Sequence, residues 1–195
     1  MVRLISLELK LGKNATTSIR SITLRAMLLA VLVAQEYILT GIPQVQLTVI
    51  LILVYAHFLR YRELVPLIAA YVLLDNLLMG SFSLLYTPTM LIIWPLFAVV
   101  ARSLRNKPDY ANFILAVLFP FVYGWAFIPA SILVMHLNTW TKVWTYLMMD
   151  IPAELTMAVV SVITFLALYR PLKELLWFLF KRTDPNLKND DEMSL

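Results

Sequence analysis

The sequence predicts an all-α membrane protein, a single bundle of six transmembrane helices with both termini in the cytoplasm. Three observations favour this fold class. Hydrophobic residues occupy 61% of the 195 positions and charged residues only 14%, and the mean hydropathy is +0.80. The apolar residues form long stretches, and the basic residues cluster between them. A soluble domain of this size does not bury so much apolar surface, so the expected solvent is a lipid bilayer.

A transmembrane helix needs about 20 mostly apolar residues. The first predicted span, 19–40, ends before Gly41, and the second, 43–59, is short and ends at the basic cluster that begins with Arg60. The third predicted span, 64–80, runs from that cluster to Gly80. Glycines and charge clusters are common ends of apolar helices, so these are three separate spans.

Three further spans follow. The fourth, 88–104, starts at a proline and ends in a basic loop, and a polar loop separates the fifth, 110–135, from the sixth, 151–180. The sixth extends past the bilayer as an amphipathic segment through Trp177. Residues 1–182 are therefore predicted as one membrane domain, and 183–195 (TDPNLKNDDEMSL) as a polar cytoplasmic tail.

The distribution of basic residues predicts the orientation. With the N terminus inside, 15 of the 16 Lys and Arg residues fall on the cytoplasmic side and only Lys142 falls outside. Because cytoplasmic loops carry the excess of Lys and Arg, this asymmetry predicts two cytoplasmic termini. The cytoplasmic set is Arg3, Lys10, Lys13, Arg20, Arg25, Arg60, Arg62, Arg102, Arg105, Lys107, Arg170, Lys173, Lys181, Arg182 and Lys188.

Composition argues against several classes of protein. The chain has no cysteine, which excludes disulfides, thiolate metal sites and cysteine nucleophiles. Its four glycines form no phosphate-binding loop, and zinc-protease and GxSxG motifs are absent. We therefore expect no enzyme activity, no metal and no bound cofactor. The net charge of +4 reflects membrane orientation, and nucleic acid is not an expected partner.

The outer half of the predicted bundle is rich in acidic and aromatic residues. Ionisable groups at membrane depth are costly and mark a site by default. A binding site combines apolar and aromatic walls with a few convergent polar groups. The candidate substrate-binding residues are Glu36, Tyr37, Gln44, Gln46, Asp75, Asn76, Tyr86, Trp94, Tyr123, Trp125, Asp150 and Glu154.

Structural roles compete with this interpretation. Trp140, Trp144 and Tyr146 fit an interfacial aromatic belt. Asp150, just before Ile151-Pro152, fits a helix N-cap, and Glu154 would then favour the positive end of the helix dipole. Asp75 and Asn76 are harder to explain in this way, because they lie about four residues inside the end of an apolar span.

The first predicted span carries Ala26, Ala30 and Ala34 at a spacing of four residues. Such positions lie on one side of a helix and form a shallow groove, which we call the alanine stripe. Small residues let helices approach closely in lipid. The stripe could pack inside the protein's own bundle or against another membrane protein, and the spacing alone does not separate these alternatives.

The AxxxAxxxA pattern followed by a short uncharged loop, TGIPQVQLT, resembles the substrate-binding S-component of energy-coupling factor (ECF) vitamin transporters. The chain length, six predicted spans, cytoplasmic termini and lack of an ATPase motif are similar too. The stretches LLDNLLMGSFSLLYTP and MMDIPAEL resemble one branch of bacterial S-components with unassigned or corrinoid-like substrates.

The resemblance implies a mechanism and partners. An S-component of the bacterial plasma membrane captures a vitamin from outside, docks on a transmembrane coupling subunit driven by two ATPase subunits, and topples to release its ligand inside. It implies that Ala26, Ala30 and Ala34 bind the coupling subunit. It further implies that 41–46 and 81–87 are two lids over the ligand.

Charge narrows the expected ligand. Anionic vitamins favour Arg or Lys in the pocket, because charge-assisted bonds to a carboxylate are strong. The outer half offers Lys142 alone, so a neutral, amide-rich or cationic vitamin is expected. Together with the resemblance, this favours cobalamin; pyridoxine, thiamine, a deazapurine queuosine precursor and pantothenate are alternatives.

Two other classes of protein stay open. A proton-coupled secondary carrier would use Glu36, Asp75 and Glu154 as a relay. A purely structural subunit would need no buried carboxylates in the outer half. Co-purification with a membrane partner and ATPases, and uptake that requires ATP, separate an S-component from both.

Overall fold

The computed structural model describes residues 2–42 and 45–183, with side chains for 19–42 and 45–181. This part of the chain is helical and contains no strand, which confirms the all-α class. Gln44 and residues 184–195 of the predicted tail lie outside the described residues. The helices are α1 (Val2–Leu39), α2 (Thr48–Phe58), α3 (Tyr61–Leu78), α4 (Tyr86–Ser103), α5 (Asp109–Ala126), α6 (Ile128–Val134) and α7 (Trp140–Thr183).

Three segments of the described chain are long and apolar enough to cross a membrane: Ile19–Leu39 in α1, Asp109–Val134 across α5 and α6, and Trp140–Lys181 in α7. Large apolar side chains on these segments, such as Ile38, Ile114 and Leu166, are exposed. Long apolar helices with exposed apolar side chains are compatible with a membrane protein. The six-span arrangement and the cytoplasmic termini stay predictions.

Helix α2 is the centre of the core. Each residue from Thr48 to Ala56 is buried, and the helix contacts α1, α3, α4, α5 and α7. A helix that is apolar on all sides belongs in the interior, which explains this position. At its C-terminal end, Nη1 of Arg102 donates hydrogen bonds to the carbonyl oxygens of Ala56 at 2.7 Å and His57 at 2.9 Å. The guanidinium thus satisfies carbonyls that the helix leaves unpaired.

Contacts between helix ends define two ends of the bundle. At one, Arg25 of α1 pairs with Glu63 of α3 at 2.5 Å, and Lys173 of α7 pairs with Asp109 of α5 at 3.7 Å. We call this the basic end. The opposite end, where α1 finishes and α2 begins, is the acidic end, because Glu36, Asp75 and Asp150 surround one cavity there.

The helix boundaries differ from those of the predicted spans, and three of the differences affect the site. Helix α2 is shorter than the predicted span 43–59, and the predicted span 110–135 is broken at Phe127 between α5 and α6. The helix that contains the predicted sixth span, 151–180, begins before it, because α7 starts at Trp140 and passes through Pro152 without a break. Asp150 is therefore inside a helix and is not an N-cap. Proline is tolerated within helices in apolar surroundings, because neighbouring groups satisfy the backbone hydrogen-bonding groups that it leaves free.

Candidate functional site: a cavity at the acidic end

A cavity of about 540 Å³ lies at the acidic end, between α1, α3, α4, α5 and α7. Six of the predicted substrate-binding residues line it: Glu36, Gln46, Asp75, Tyr86, Tyr123 and Asp150. None of the described lining residues is Lys, Arg or His. The cavity therefore presents three carboxylates and no protein cation to whatever enters it.

The shortness of α2 explains why the cavity exists. Its 11 residues span about 16 Å, roughly half the ~30 Å hydrocarbon thickness of a bilayer. Val45 and Gln46 thus line the cavity just before α2 begins. The surrounding helices continue past that level, so they enclose a space that no central helix fills.

Glu36 is held rigidly at the N-terminal end of α2. Its Oε1 accepts hydrogen bonds from Gln35 Nε2 at 2.7 Å, from Tyr71 OH at 2.9 Å and, through a very short contact, from Thr48 Oγ1. Gln35 Oε1 in turn accepts from the backbone N–H of Leu47 at 2.8 Å. The positive end of the α2 dipole also favours a negative charge here. The Glu36 carboxylate is therefore fixed in position, with Oε2 left without a hydrogen bond from the described residues.

A smaller space of about 50 Å³ continues from the main cavity into the bundle; we call it the inner recess. Glu36, Gln46, Asp75, Met90 and Tyr123 line both spaces. Tyr71, Val72, Asn76 and Trp94 complete the walls of the recess. The two acidic side chains predicted on α1 and α3 therefore meet at the junction between the cavity and the recess.

Aromatic rings form a connected wall beside the carboxylates. The Trp94 ring centroid lies 5.3 Å from that of Tyr123 and 6.3 Å from that of Tyr71. Tyr123 continues the wall to Phe127 at 4.9 Å, and Phe127 to Tyr86 at 5.8 Å. These separations are those of favourable aromatic pairs, and Tyr86, Tyr123 and Phe127 present this wall to the main cavity.

The α5–α7 side of the cavity depends on Gly124. Gly124 and Asp150 line the cavity, while Glu154, one turn further along α7, is buried behind it at 1% exposure. A β-carbon on Gly124 would overlap Oε1 of Glu154 and lie 3.2 Å from Oδ2 of Asp150. Neither carboxylate oxygen of Glu154 has a hydrogen-bond partner among the described residues. The glycine thus provides the space that the Glu154 carboxylate occupies.

The remaining predicted site residues have other surroundings. Tyr37 and Trp125 are 52% and 56% exposed and do not line the cavity, and the Tyr37 hydroxyl donates to the carbonyl oxygen of Leu78 at 3.1 Å. Asn76 reaches the recess, but its amide donates to the Val72 carbonyl and contacts the Met90 sulfur, and its oxygen accepts from the Thr87 hydroxyl. It therefore joins α3 to the start of α4.

Several residues of the site were missed by the sequence analysis: Gln35, Thr48, Tyr71 and Gly124. Gln35, Thr48 and Gly124 are uncharged residues within apolar stretches of the sequence. Tyr71 lies one helical turn before Asp75. That helical spacing was the one signal that could have identified Tyr71. The others act through contacts with another helix, which spacing along the chain does not reveal.

The alanine stripe lies on the outside of the bundle. Ala26, Ala30 and Ala34 are all exposed, whereas Leu28 and Leu32 of the same helix are buried. In the described chain the stripe therefore does not pack into the core, which leaves a smooth strip open on α1. No protein-family model, curated protein or solved structure matches this chain.

Proposed function

We propose that this protein is the substrate-binding S-component of an ECF-type importer in a bacterial plasma membrane. The cavity at the acidic end carries the proposal. It is about 540 Å³, within the roughly 300–1,000 Å³ of pockets that enclose small molecules. It combines fixed acceptors with an aromatic wall, the composition of a recognition site for a ring with polar substituents. Capture of a ligand is therefore the function proposed.

The exposed alanine stripe supports a membrane partner. In lipid, helices associate through close packing, and small residues allow the closest approach. The first helix has the stripe on its outer face and Glu36 on its inner face. The resemblance assigns such a stripe to contact with the coupling subunit, and the proposal adopts this role for Ala26, Ala30 and Ala34. ATP hydrolysis would then occur in two partner ATPase subunits.

The size of the cavity bears on the ligand. The sequence favours cobalamin, but a corrinoid with its nucleotide loop exceeds the drug-sized ligands that pockets of ~300–1,000 Å³ bury. A vitamin with one or two rings, such as pyridoxine, thiamine or a deazapurine, matches about 540 Å³ better. We therefore propose that the ligand is a compact neutral or cationic vitamin. Cobalamin is the competing ligand, and part of a bound cobalamin would lie outside the cavity.

The proposal is tested by affinity purification of the full chain from its native membrane in mild detergent. We expect a membrane subunit and ATPases to co-purify, and mass spectrometry of the heat-released small molecules to detect a vitamin. Uptake of that vitamin into cells should stop when ATP is depleted. A chain that purifies alone, retains no vitamin and supports no ATP-dependent uptake would contradict the proposal.

One observation favours a second candidate, a proton-coupled carrier. Glu154 is buried without a hydrogen-bond partner in the described chain, and unpaired carboxylates at membrane depth are typical of proton relays. Such a carrier would transport its ligand in proteoliposomes containing this chain alone, driven by a pH gradient. An S-component would show no transport under those conditions, and the measurement separates the two candidates.

A further inference from the structure

We infer that the inner recess binds a cationic nitrogen of the transported ligand, such as a protonated amine or a charged ring nitrogen. The inference rests on the proposed function, because it assumes that the main cavity holds the transported molecule. It narrows the ligand from a neutral or cationic vitamin to a cationic one. It also assigns the charged group to one place, between Glu36 and Asp75.

The first argument is uncompensated charge. Glu36 and Asp75 border the recess, and neither it nor the main cavity has a Lys, Arg or His among its described lining residues. Acidic groups at membrane depth normally pair with an opposite charge. Because the described lining residues supply none here, a ligand cation is the group that completes the pair.

The second argument is the direction of hydrogen bonding. Three donors already surround Oε1 of Glu36, so this oxygen has little remaining capacity to accept hydrogen bonds. Oε2 of Glu36 and both oxygens of Asp75 accept no hydrogen bond from the described residues. The open positions of the recess are thus acceptors, and an ammonium or amidinium group is a donor that matches them with charge-assisted bonds.

The third argument is the surrounding surface. Tyr71, Trp94 and Tyr123 enclose the recess, and Trp94 is 3% exposed. These rings exclude water, and the attraction between a carboxylate and a cation is stronger where water is excluded. The recess volume is about 50 Å³, against ~30 Å³ for one water in the liquid. It therefore suits an end group of a few atoms, with the remainder of the ligand in the main cavity.

The recess can be tested with three probes of similar shape: propylammonium, 1-propanol and propionate. Binding to the purified full chain, freed of retained ligand in lipid nanodiscs, is measured by titration calorimetry and Trp fluorescence. We expect propylammonium to bind at least ~10-fold more tightly than 1-propanol, and propionate to bind weakest. Equal binding of the three, no binding of any, or a preference for propionate would overturn the inference.

Variants assign the preference to the recess. We expect Glu36→Gln and Asp75→Asn each to reduce propylammonium affinity by about 10- to 100-fold, with little effect on 1-propanol. Asp109→Asn is the matched control, since Asp109 is an exposed carboxylate at the basic end, and it should leave the preference unchanged. Asp75→Asn tests the site even if Glu36→Gln unfolds the chain, because the Asp75 side chain makes no hydrogen bond with the described residues that the substitution would remove.

The outcomes separate this inference from the proposed function. If the chain is part of an ATP-dependent importer but its retained vitamin lacks a cationic nitrogen, the inference about the recess is overturned and the proposed importer function stands. A chain without ATPase partners that still selects propylammonium through Glu36 and Asp75 would overturn the importer and support the recess as a cation site.

Discussion

Gly124 gives the most direct energetic prediction from the structure. It lies within α5, and a β-carbon there would overlap Oε1 of Glu154 and lie 3.0 Å from Cδ of the same side chain. Such approaches are shorter than van der Waals contact, so Gly124→Ala forces the Glu154 carboxylate to move. The space available is limited, because Glu154 is almost fully buried and Asp150 lies on the cavity side.

Two opposing effects set the size of the change. Alanine is favoured over glycine in a helix interior by about 0.8–1.0 kcal/mol. Overpacking a buried site costs about 1–3 kcal/mol, and the displaced group is a carboxylate without a hydrogen-bond partner. The second effect is the larger, so we expect a net loss of about 1 kcal/mol. For a chain of this length that lowers Tm by about 2–4 °C.

A double-mutant cycle with Glu154→Ala isolates the contact. Without the carboxylate the overlap disappears, so in that background Gly124→Ala should stabilise the chain by up to ~1 kcal/mol. The coupling between the two substitutions should then be about 1–2 kcal/mol. Thermal unfolding of the four purified full-length proteins in one detergent measures it. If Gly124→Ala changes Tm equally in both backgrounds, the contact between α5 and α7 is not as described.

Three further predictions concern other parts of the molecule. Ala30→Leu should abolish uptake in cells and leave ligand binding unchanged. The control Ala167→Leu, at an exposed alanine of α7, should affect neither uptake nor binding. Loss of folding in Ala30→Leu would instead favour packing of the stripe inside the bundle. Asp75→Ala should weaken ligand binding at least ~10-fold without disturbing partner assembly, and unchanged affinity in calorimetry would remove it from the site. Arg102→Ala should destabilise the chain by about 1–3 kcal/mol, since it leaves two carbonyls at the end of α2 unpaired, while Lys107→Ala in the neighbouring loop should leave Tm unchanged.

The sequence predicted the class of the fold and the acidic core of the site. Glu36, Asp75 and Asp150 were identified because a carboxylate at membrane depth is costly enough to indicate function, and the structure brings all three to one cavity. The composition and the long apolar stretches likewise predicted the helices correctly. These features depend on the type of residue and its depth, both of which can be read along the chain.

Other features depend on packing between helices and were not predictable. Tyr37 and Tyr123 are both tyrosines at the acidic end, yet one is exposed and the other lines the recess. The difference is the rotation of each helix about its axis, which many contacts set together. The role of Gly124 depends on which residue of α7 lies opposite it. An N-cap role for Asp150 was an open alternative to its predicted place in the site, because Pro152 is a strong helix-breaking signal in water, although it is weaker in an apolar environment.

One helix connects the two surfaces on which the proposed importer depends. On α1, Ala34 is exposed in the alanine stripe while the next residue, Gln35, is buried and bonded to both Thr48 and the Leu47 backbone at the start of α2. Glu36 follows at the junction of the cavity and the recess. A rotation or shift of this part of α1 on docking would therefore change the hydrogen bonds that orient Glu36. If the proposed docking moves α1 in this way, docking and ligand affinity are coupled, and the coupling is reciprocal: the partner and the ligand change each other's affinity by the same factor.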